Sequence, residues 1–224
     1  MKSGTRIPWR RMACLAVIAL FGALALAPAA AEPPSGGDDL YVPPAQPGAR
    51  RQIVQLTAQG DRTAAAQIRA ITETPQAAWF EAGTPRSVRR DVHVTVTRAA
   101  AHHTIPVLVT YNIPFRDCAQ FSAGGATTQA EYEAWIDGFA AGIGDREAIV
   151  ILEPDGLGII PWYDPYGDAD GSGALEWCQP AEADPDTAAA ERFAMLNDAV
   201  DVLDGAPHVT TYLDGTHAAW LGVG

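Results

Sequence analysis

Three things are scarce in this chain: basic residues, cysteine and long apolar runs. Its 224 residues carry 15 Lys+Arg against 27 Asp+Glu, a formal charge of −12. A surplus of acid argues against nucleic acid or an anionic membrane surface as a partner. There are three cysteines, and no cysteine-protease signature accompanies them. No internal repeat and no low-complexity domain occurs. Beyond the first 31 residues no long apolar stretch exists, which removes an internal membrane span.

The single long apolar run, Met12 to Ala27, follows Lys2, Arg6, Arg10 and Arg11 and precedes Ala29-Ala30-Ala31. Positive, apolar, then small is the order of a secretory signal peptide, and the run is short for a spanning helix. Residues 1–31 are therefore expected to be cleaved, a retained membrane anchor being the alternative. Cys14 lies at the start of the run, too early for a lipoprotein cysteine. Cleavage removes four basic residues and no acidic one, leaving 11 against 27 and a formal charge of −16. That suits a soluble secreted protein meeting a neutral or cationic ligand. Cys118 and Cys178 remain. In an oxidising compartment such a pair most simply forms one disulfide, and a catalytic thiol is the alternative. About 190 residues can bury a substantial core as one domain.

Residues 32–50, rich in Pro, Gly and Ala, read as an exposed lead-in. Helix-like and strand-like segments then alternate. Gln52 to Ile71 reads as one helix and Gln76 to Phe80 as a short strand. Ser87 to His103 carries both periods, but Val88, Val92, Val96 and Ala100 fall four apart, and helix is favoured because a buried strand, Thr104–Ile113, follows at once. Thr128 and Glu131 make a capping box ahead of Tyr132, Trp135, Ile136 and Phe139, and Gly144 ends that helix. Ala148–Leu152 is the next buried strand, and Pro161–Pro185 a long polar loop. Asp186 or Thr187 caps a helix whose expected face is Phe193, Leu196, Val200 and Leu203, ending near Gly205. His208–Asp214 is a further strand. Repeated strand–helix–strand units with continuous apolar strands predict a parallel α/β sheet with helices outside.

The stretch "AIVILEPDGLGIIPW", Ala148 to Trp162, sets two carboxylates between apolar runs. Burying an unpaired carboxylate is expensive unless something holds or uses it. Pro154 removes a backbone donor and pushes Glu153 toward extended geometry, so the strand is expected to end there with Asp155 just beyond. Glu153 is expected to be structural, paired behind the strand end. Asp117 follows the strand at 104–113, and Asp214 follows the last strand. In parallel α/β folds the carboxyl ends of strands carry the site, so three carboxylates distant in sequence can converge. A strand-end Asp can equally cap the next helix. Carboxylate clusters hold hard metals or do acid/base work on glycosidic bonds. Trp79, Trp162, Trp177, Trp220 and Tyr111 lie near the strand ends or in the loops after them, and a Trp there can stack on a sugar ring, which favours carbohydrate.

At these residues a family likeness emerges. "YNIPFRDCAQFSAGGA" (Tyr111–Ala126), "VILEPDGLG" (Val150–Gly158) and "YLDGTHAAWLG" (Tyr212–Gly222) resemble the glycoside hydrolase family 6 cellulases, in the family's order and nearest to secreted actinobacterial members. The likeness runs from about Leu40 to the last residue. It implies an α/β fold, a parallel-stranded distorted (β/α) barrel, incomplete here at the C-terminus. Residues 51–224 would be the N-terminal part of the catalytic domain. It also implies endo- or exo-cleavage of β-1,4-glucan with inversion. Asp155 would be the general acid, and Asp117 would raise that acid's pKa and help pass a proton from the attacking water. Arg116 resembles an arginine contacting the acid pair, and Tyr111 a tyrosine beneath the sugar at the cleavage point. Asp214 resembles a third Asp supporting substrate and electrostatics. Trp220 and Trp79 resemble tryptophans stacking sugars on either side, and His217 shares the last motif. Cys118 and Cys178 match the family's first disulfide. No cofactor or metal is implied. The expected partner is the polysaccharide, with no nucleic acid and no membrane after signal cleavage, and the expected state is a secreted monomer.

Two features depart from the family pattern. Many members carry a Ser six residues after the Asp of Arg-Asp-Cys, where this chain has Ala123, with Ser122 one place earlier. The chain also reaches Gly224 just after the third Asp motif, where family members continue with further strands and cleft residues. A fragment that binds carbohydrate without turning it over is therefore the competing expectation. "DPYGDADGSGALE" (Asp164–Glu176) fits only part of a calcium loop, because position 1 would be Tyr166 and position 12 Trp177, and reads as a solvated acidic loop. His102-His103 is equally weak as a metal site, since adjacent side chains rarely converge.

Overall fold

Where the apolar runs alternate with Val-, Trp- and Leu-bearing helices, the chain forms a parallel sheet in sequence order. The structure is a computed structural model that describes residues 39–162 and 178–216. The signal segment, the start of the lead-in, the Asp164–Glu176 loop with Trp177, His217 and Trp220 lie outside the described residues. Those described fall within one compact unit, Pro33–Gly224.

Four strands, β1 (Ala78–Phe80), β2 (Val107–Thr110), β3 (Ala148–Leu152) and β4 (Val209–Leu213), pair in the order β1-β2-β3-β4, all parallel. The register sets Thr110 opposite Leu152 and Leu152 opposite Leu213, so β2, β3 and β4 finish level and release their chains on one edge. Helices α3 (Pro85–Ala101), α4 (Gln129–Ile143) and α5 (Ala188–Asp204) supply the crossovers. Their apolar faces close a core of Val88, Val92 and Val96, Tyr132, Trp135, Ile136 and Phe139, and Met195, Leu196, Ala199 and Leu203 over Leu108, Val150 and Leu152. Each large side chain removed from water there contributes roughly 1.5–3 kcal/mol. Trp135, stacked beside Phe139, donates its indole N–H to Ala82 O at 3.3 Å.

Several local expectations change. The single helix expected over 52–71 is two, α1 (Pro47–Ala58) and α2 (Arg62–Thr72). Gly60 turns the chain at φ 84, and Asp61 caps α2 by accepting from Ala64 N–H at 3.0 Å. On α3 the buried face moves from Ala100 to Ala99, following 3.6 residues per turn. Thr128 caps α4 as expected, but the Glu131 carboxylate reaches Thr127 N–H and hydroxyl, one residue before the position a capping box uses. On α5, Phe193 is exposed and the buried face is Arg192, Met195, Leu196, Ala199 and Leu203. Within the expected lead-in, Leu40 bridges Ile105 and Tyr41 is buried, its N–H on Ile105 O at 2.9 Å. No helix among the described residues is long and apolar enough to cross a membrane.

Candidate active site

Tyr111, Arg116 and Asp117 follow β2, Asp155 follows β3 and Asp214 follows β4 on the edge where these strands end, while Trp79 lies on β1. Tyr111 still pairs with Phe80 O at 2.9 Å, and Asp214 with Leu152 O at 3.1 Å, so both start from rigid sheet.

Glu153 ends β3 and turns inward. It is 0% exposed. Its carboxylate accepts from Asn112 N–H (3.0 Å) and Ile113 N–H (3.1 Å), tying the β3 end to the chain leaving β2. Burial pushes its carboxyl up, while those two backbone N–H groups pull it back down. Tyr132 and Arg192 share this interior, and the Tyr132 hydroxyl is raised well above its ordinary value by burial and then by Glu153. The expected structural role is what the geometry shows. The expected extended backbone is not: Glu153 has φ 46. The turn must drive the carboxylate back under β2, and the two N–H bonds hold it there.

Asp155 follows Pro154, also in the left-handed region at φ 64. Non-glycine residues hold such angles only where the surroundings over-determine them. Here Asp214 Oδ2 accepts from Asp155 N–H at 2.8 Å and from Thr216 N–H at 2.9 Å. Asp155 O then accepts from Gly158 and Ile159 N–H at 3.0 and 2.9 Å, closing a tight turn. The Asp155 side chain is half-buried.

Asp117 sits on a short 3₁₀ turn, Asp117–Ala119, with φ 56. Its Oδ2 accepts from Ser122 N–H at 2.7 Å and shares the Ser122 hydroxyl at 2.9 Å. That hydroxyl also lies 3.2 Å from Tyr111 Oη. Burial raises the Tyr111 phenol; the charges of Asp117 and Asp155 raise it further, against the Ser122 hydrogen bond and Arg116. Asp117 thus reaches the Tyr111 hydroxyl through Ser122. The Trp79 ring, 55% exposed, meets the Tyr111 ring edge-on at 5.5 Å. Arg116 lies 4.7 Å from the Tyr111 ring centroid. It donates to Ser122 O (2.8 Å), Glu81 O (2.7 Å) and Tyr111 O, bracing the loop against the end of β1.

Cys118 and Cys178 are joined in a disulfide with Cα atoms 5.5 Å apart. The catalytic-thiol alternative is therefore not the form seen. The bridge packs with buried Ile159, and Cys178 O accepts from Trp162 N–H at 3.0 Å, so the Asp117 turn is bound to the chain that follows Asp155. Among the described residues no group of three or more His, Cys, Asp and Glu side chains is placed to hold a metal ion.

The sequence profile of the family described as Glycosyl hydrolases family 6 matches residues 35–224. The chain belongs to glycosyl hydrolase family 6. Endoglucanase 1 of Streptomyces sp. (strain KSM-9) is 35% identical over 163 residues, which is 72% of this chain and 40% of that protein. Endoglucanase A of Thermobispora bispora is 40% identical over 149 residues, 66% of this chain and 32% of that protein. The chain thus spans two fifths or less of the length of these two relatives. The endoglucanase Cel6 from Mycobacterium tuberculosis, solved with methyl-cellobiosyl-4-deoxy-4-thio-β-D-cellobioside, matches with a TM-score of 0.64 at 31% identity, over 82% of this chain and 54% of that one. Endoglucanase CEL6B from Humicola insolens, at 24% identity and a TM-score of 0.60, shares the fold. The α/β fold expected from the motifs is therefore that of family 6, whose members form a distorted barrel.

Within this family 6 chain, two residues stand in or under the site without having been assigned from sequence. Ser122 was noted only as a neighbour of the departing position 123, and the structure puts its hydroxyl on both Asp117 and Tyr111. Arg192 was hidden on α5. The available signal was a cation at 192, in step with the apolar positions 195, 196, 199 and 203.

Proposed function

We propose that this chain carries the acid-bearing part of a secreted glycoside hydrolase that cleaves β-1,4-glucosidic bonds of cellulose or a related β-glucan with inversion. The observation that carries the reading is that Asp117 meets the Tyr111 hydroxyl through Ser122 on the same sheet edge where Asp214 holds the Asp155 N–H. Asp155 is the general acid: it gives a proton to the glycosidic oxygen as the bond to the anomeric carbon breaks. Water attacks that carbon from the opposite face. Asp117, with the Ser122 hydroxyl on its Oδ2, helps pass the water's proton away. Inversion divides the work between an acid and a base, which requires two carboxyls whose surroundings separate their proton affinities.

The two carboxyls have different surroundings. Buried Ile159 and Ile160 follow the Asp155 turn. Asp117 Oδ2 faces two hydrogen-bond donors, the Ser122 N–H and the Ser122 hydroxyl. Trp79 offers exposed apolar ring surface for a sugar, with the buried Tyr111 ring edge-on against it, and in family 6 terms Trp220 would stack a leaving-side sugar, His217 sharing its motif. The segment at 1–31 would direct export and be removed.

The test compares the parent chain with Asp155→Ala on soluble β-1,4-glucan. The parent should release reducing sugar whose new end is the α-anomer by proton NMR, and the variant should lose about 10³-fold or more in kcat while binding glucan equally. Equal binding with no turnover by either chain would replace this reading with that of a carbohydrate-binding fragment.

A further inference from the structure

Arg192 is 2% exposed and lies on α5. Its Nη1 donates to Gly156 O at 2.8 Å and to Ile159 O at 2.9 Å. Its Nη2 donates to Pro114 O at 2.7 Å. Gly156 directly follows Asp155, and Pro114 lies three residues before Asp117. One planar fork therefore joins, from below, the turn that carries the acid and the loop that carries its partner. A guanidinium buried this deeply costs heavily unless its donors are engaged; here Nη1 and Nη2 are engaged, while the buried Nε has no hydrogen-bond partner among the described residues. Burial draws its pKa down to about 10, while the Glu153 charge in the same interior opposes the shift.

We infer that Arg192 is the positioning residue of the general acid: its guanidinium fixes the carbonyl after Asp155 and so holds the carboxyl at the height where it meets the glycosidic oxygen. The inference rests on the family 6 hydrolase reading above. The physical case is the turn itself. Glu153 and Asp155 both sit at positive φ, at 46 and 64, and relax unless held on each side. Asp214 holds the Asp155 N–H, Glu153 ties its own end to β2, and Arg192 holds the Gly156 carbonyl on the far side. A point donor such as Lys cannot span three carbonyls in a fixed plane, whereas the guanidinium fork can. An arginine that merely filled the core would not need two of its three bonds on this one turn.

The experiment exploits what a general acid does. Cello-oligosaccharides leave as poor leaving groups that need a proton. Dinitrophenyl β-cellobioside carries a leaving group that departs without one. With R192K, kcat on cello-oligosaccharides should fall about 100-fold, as for a catalytic group displaced by about 1 Å, while KM stays within about threefold. Turnover of the dinitrophenyl substrate should stay within about threefold of the parent. A second variant, G156A, leaves the guanidinium in place and moves its partner, because a Cβ there would lie 2.8 Å from Glu153 O. It should reproduce the same split, and it decides the matter if R192K does not fold. Equal losses on both substrates, or no loss on either, would overturn the inference for Arg192 alone. A parent chain that cleaves neither substrate would overturn the hydrolase reading, and this inference with it.

Discussion

Asp214 and Asp155 lie 59 residues apart, and the carboxylate of the first holds the backbone N–H of the second at 2.8 Å. The same oxygen also takes Thr216 N–H, so it is fully engaged with backbone. Asp214→Ala should therefore release the Asp155 turn and lower kcat on soluble β-1,4-glucan by roughly 10- to 100-fold, the worth of a hydrogen bond to a charged acceptor. Asp214→Asn keeps an oxygen acceptor and should lose about tenfold or less. Steady-state kinetics on both variants checks the order.

Ser122→Ala removes the hydroxyl shared by Asp117 and Tyr111 but keeps the backbone N–H on Asp117 Oδ2. Activity should fall by about 3- to 10-fold and the melting temperature by no more than about 2–4 °C, since the hydroxyl lost from this exposed loop is worth about 1 kcal/mol. The Tyr111 phenol should titrate higher still, because the Ser122 bond is one of the two influences that lower it. Ultraviolet difference titration reads that shift, and a downward shift would contradict the arrangement.

Glu153 gives a pH dependence opposite in sign to ordinary acid denaturation. Its carboxyl is raised above the ordinary 4.5 in the folded chain. The folded state then binds the proton more tightly than the unfolded state. The resulting stabilisation is fully present below the ordinary value and is lost as pH rises through the raised one. The stability of the parent minus that of Glu153→Gln, measured by urea unfolding, should therefore shrink as pH rises from about 4.5. A difference that stays flat or grows with pH would show that burial does not govern this carboxyl.

Reduction of Cys118–Cys178 opens a loop with a sequence separation of 60. Chain-entropy arguments put the stabilisation on the order of 4 kcal/mol for a loop of this size. Reductant, or the Cys118→Ser/Cys178→Ser pair, should lower the melting temperature. Glucan turnover should fall further than the lost stability explains when measured well below the melt, because Asp117 and Cys118 both hold positive φ on the bridged turn.

Much of the frame was readable from apolar spacing. Ala148–Leu152 appears as a strand with the expected bounds, and the three other strands fall inside their expected ranges, because continuous apolar runs flanked by turn residues have few other fates. Helix ends were harder. The Gly60-Asp61 break was a stop followed by a cap, overridden in the reading by the Ala-, Gln- and Arg-rich composition on either side. Tertiary partners decided the remainder. A cation at 192 looks like a surface residue until the carbonyls of Pro114, Gly156 and Ile159 are seen around it, and those come from segments 33 to 78 positions away. Likewise, Pro154 predicts an extended Glu153 from local sterics, but the N–H groups of Asn112 and Ile113 win.

The sheet's order in space is its order in the chain, each strand pairing with the one made just before it. During synthesis the β1, β2 and β3 segments can dock as they emerge, without waiting for a distant partner. The acid turn is different. Asp155 is part of the chain well before β4, yet the carboxylate that pins it arrives only when β4 adds to the β3 edge. Assembly therefore leaves the Asp155 turn as one of the last parts to be set in place, and a nascent chain holding three strands carries that carboxyl with no fixed aim.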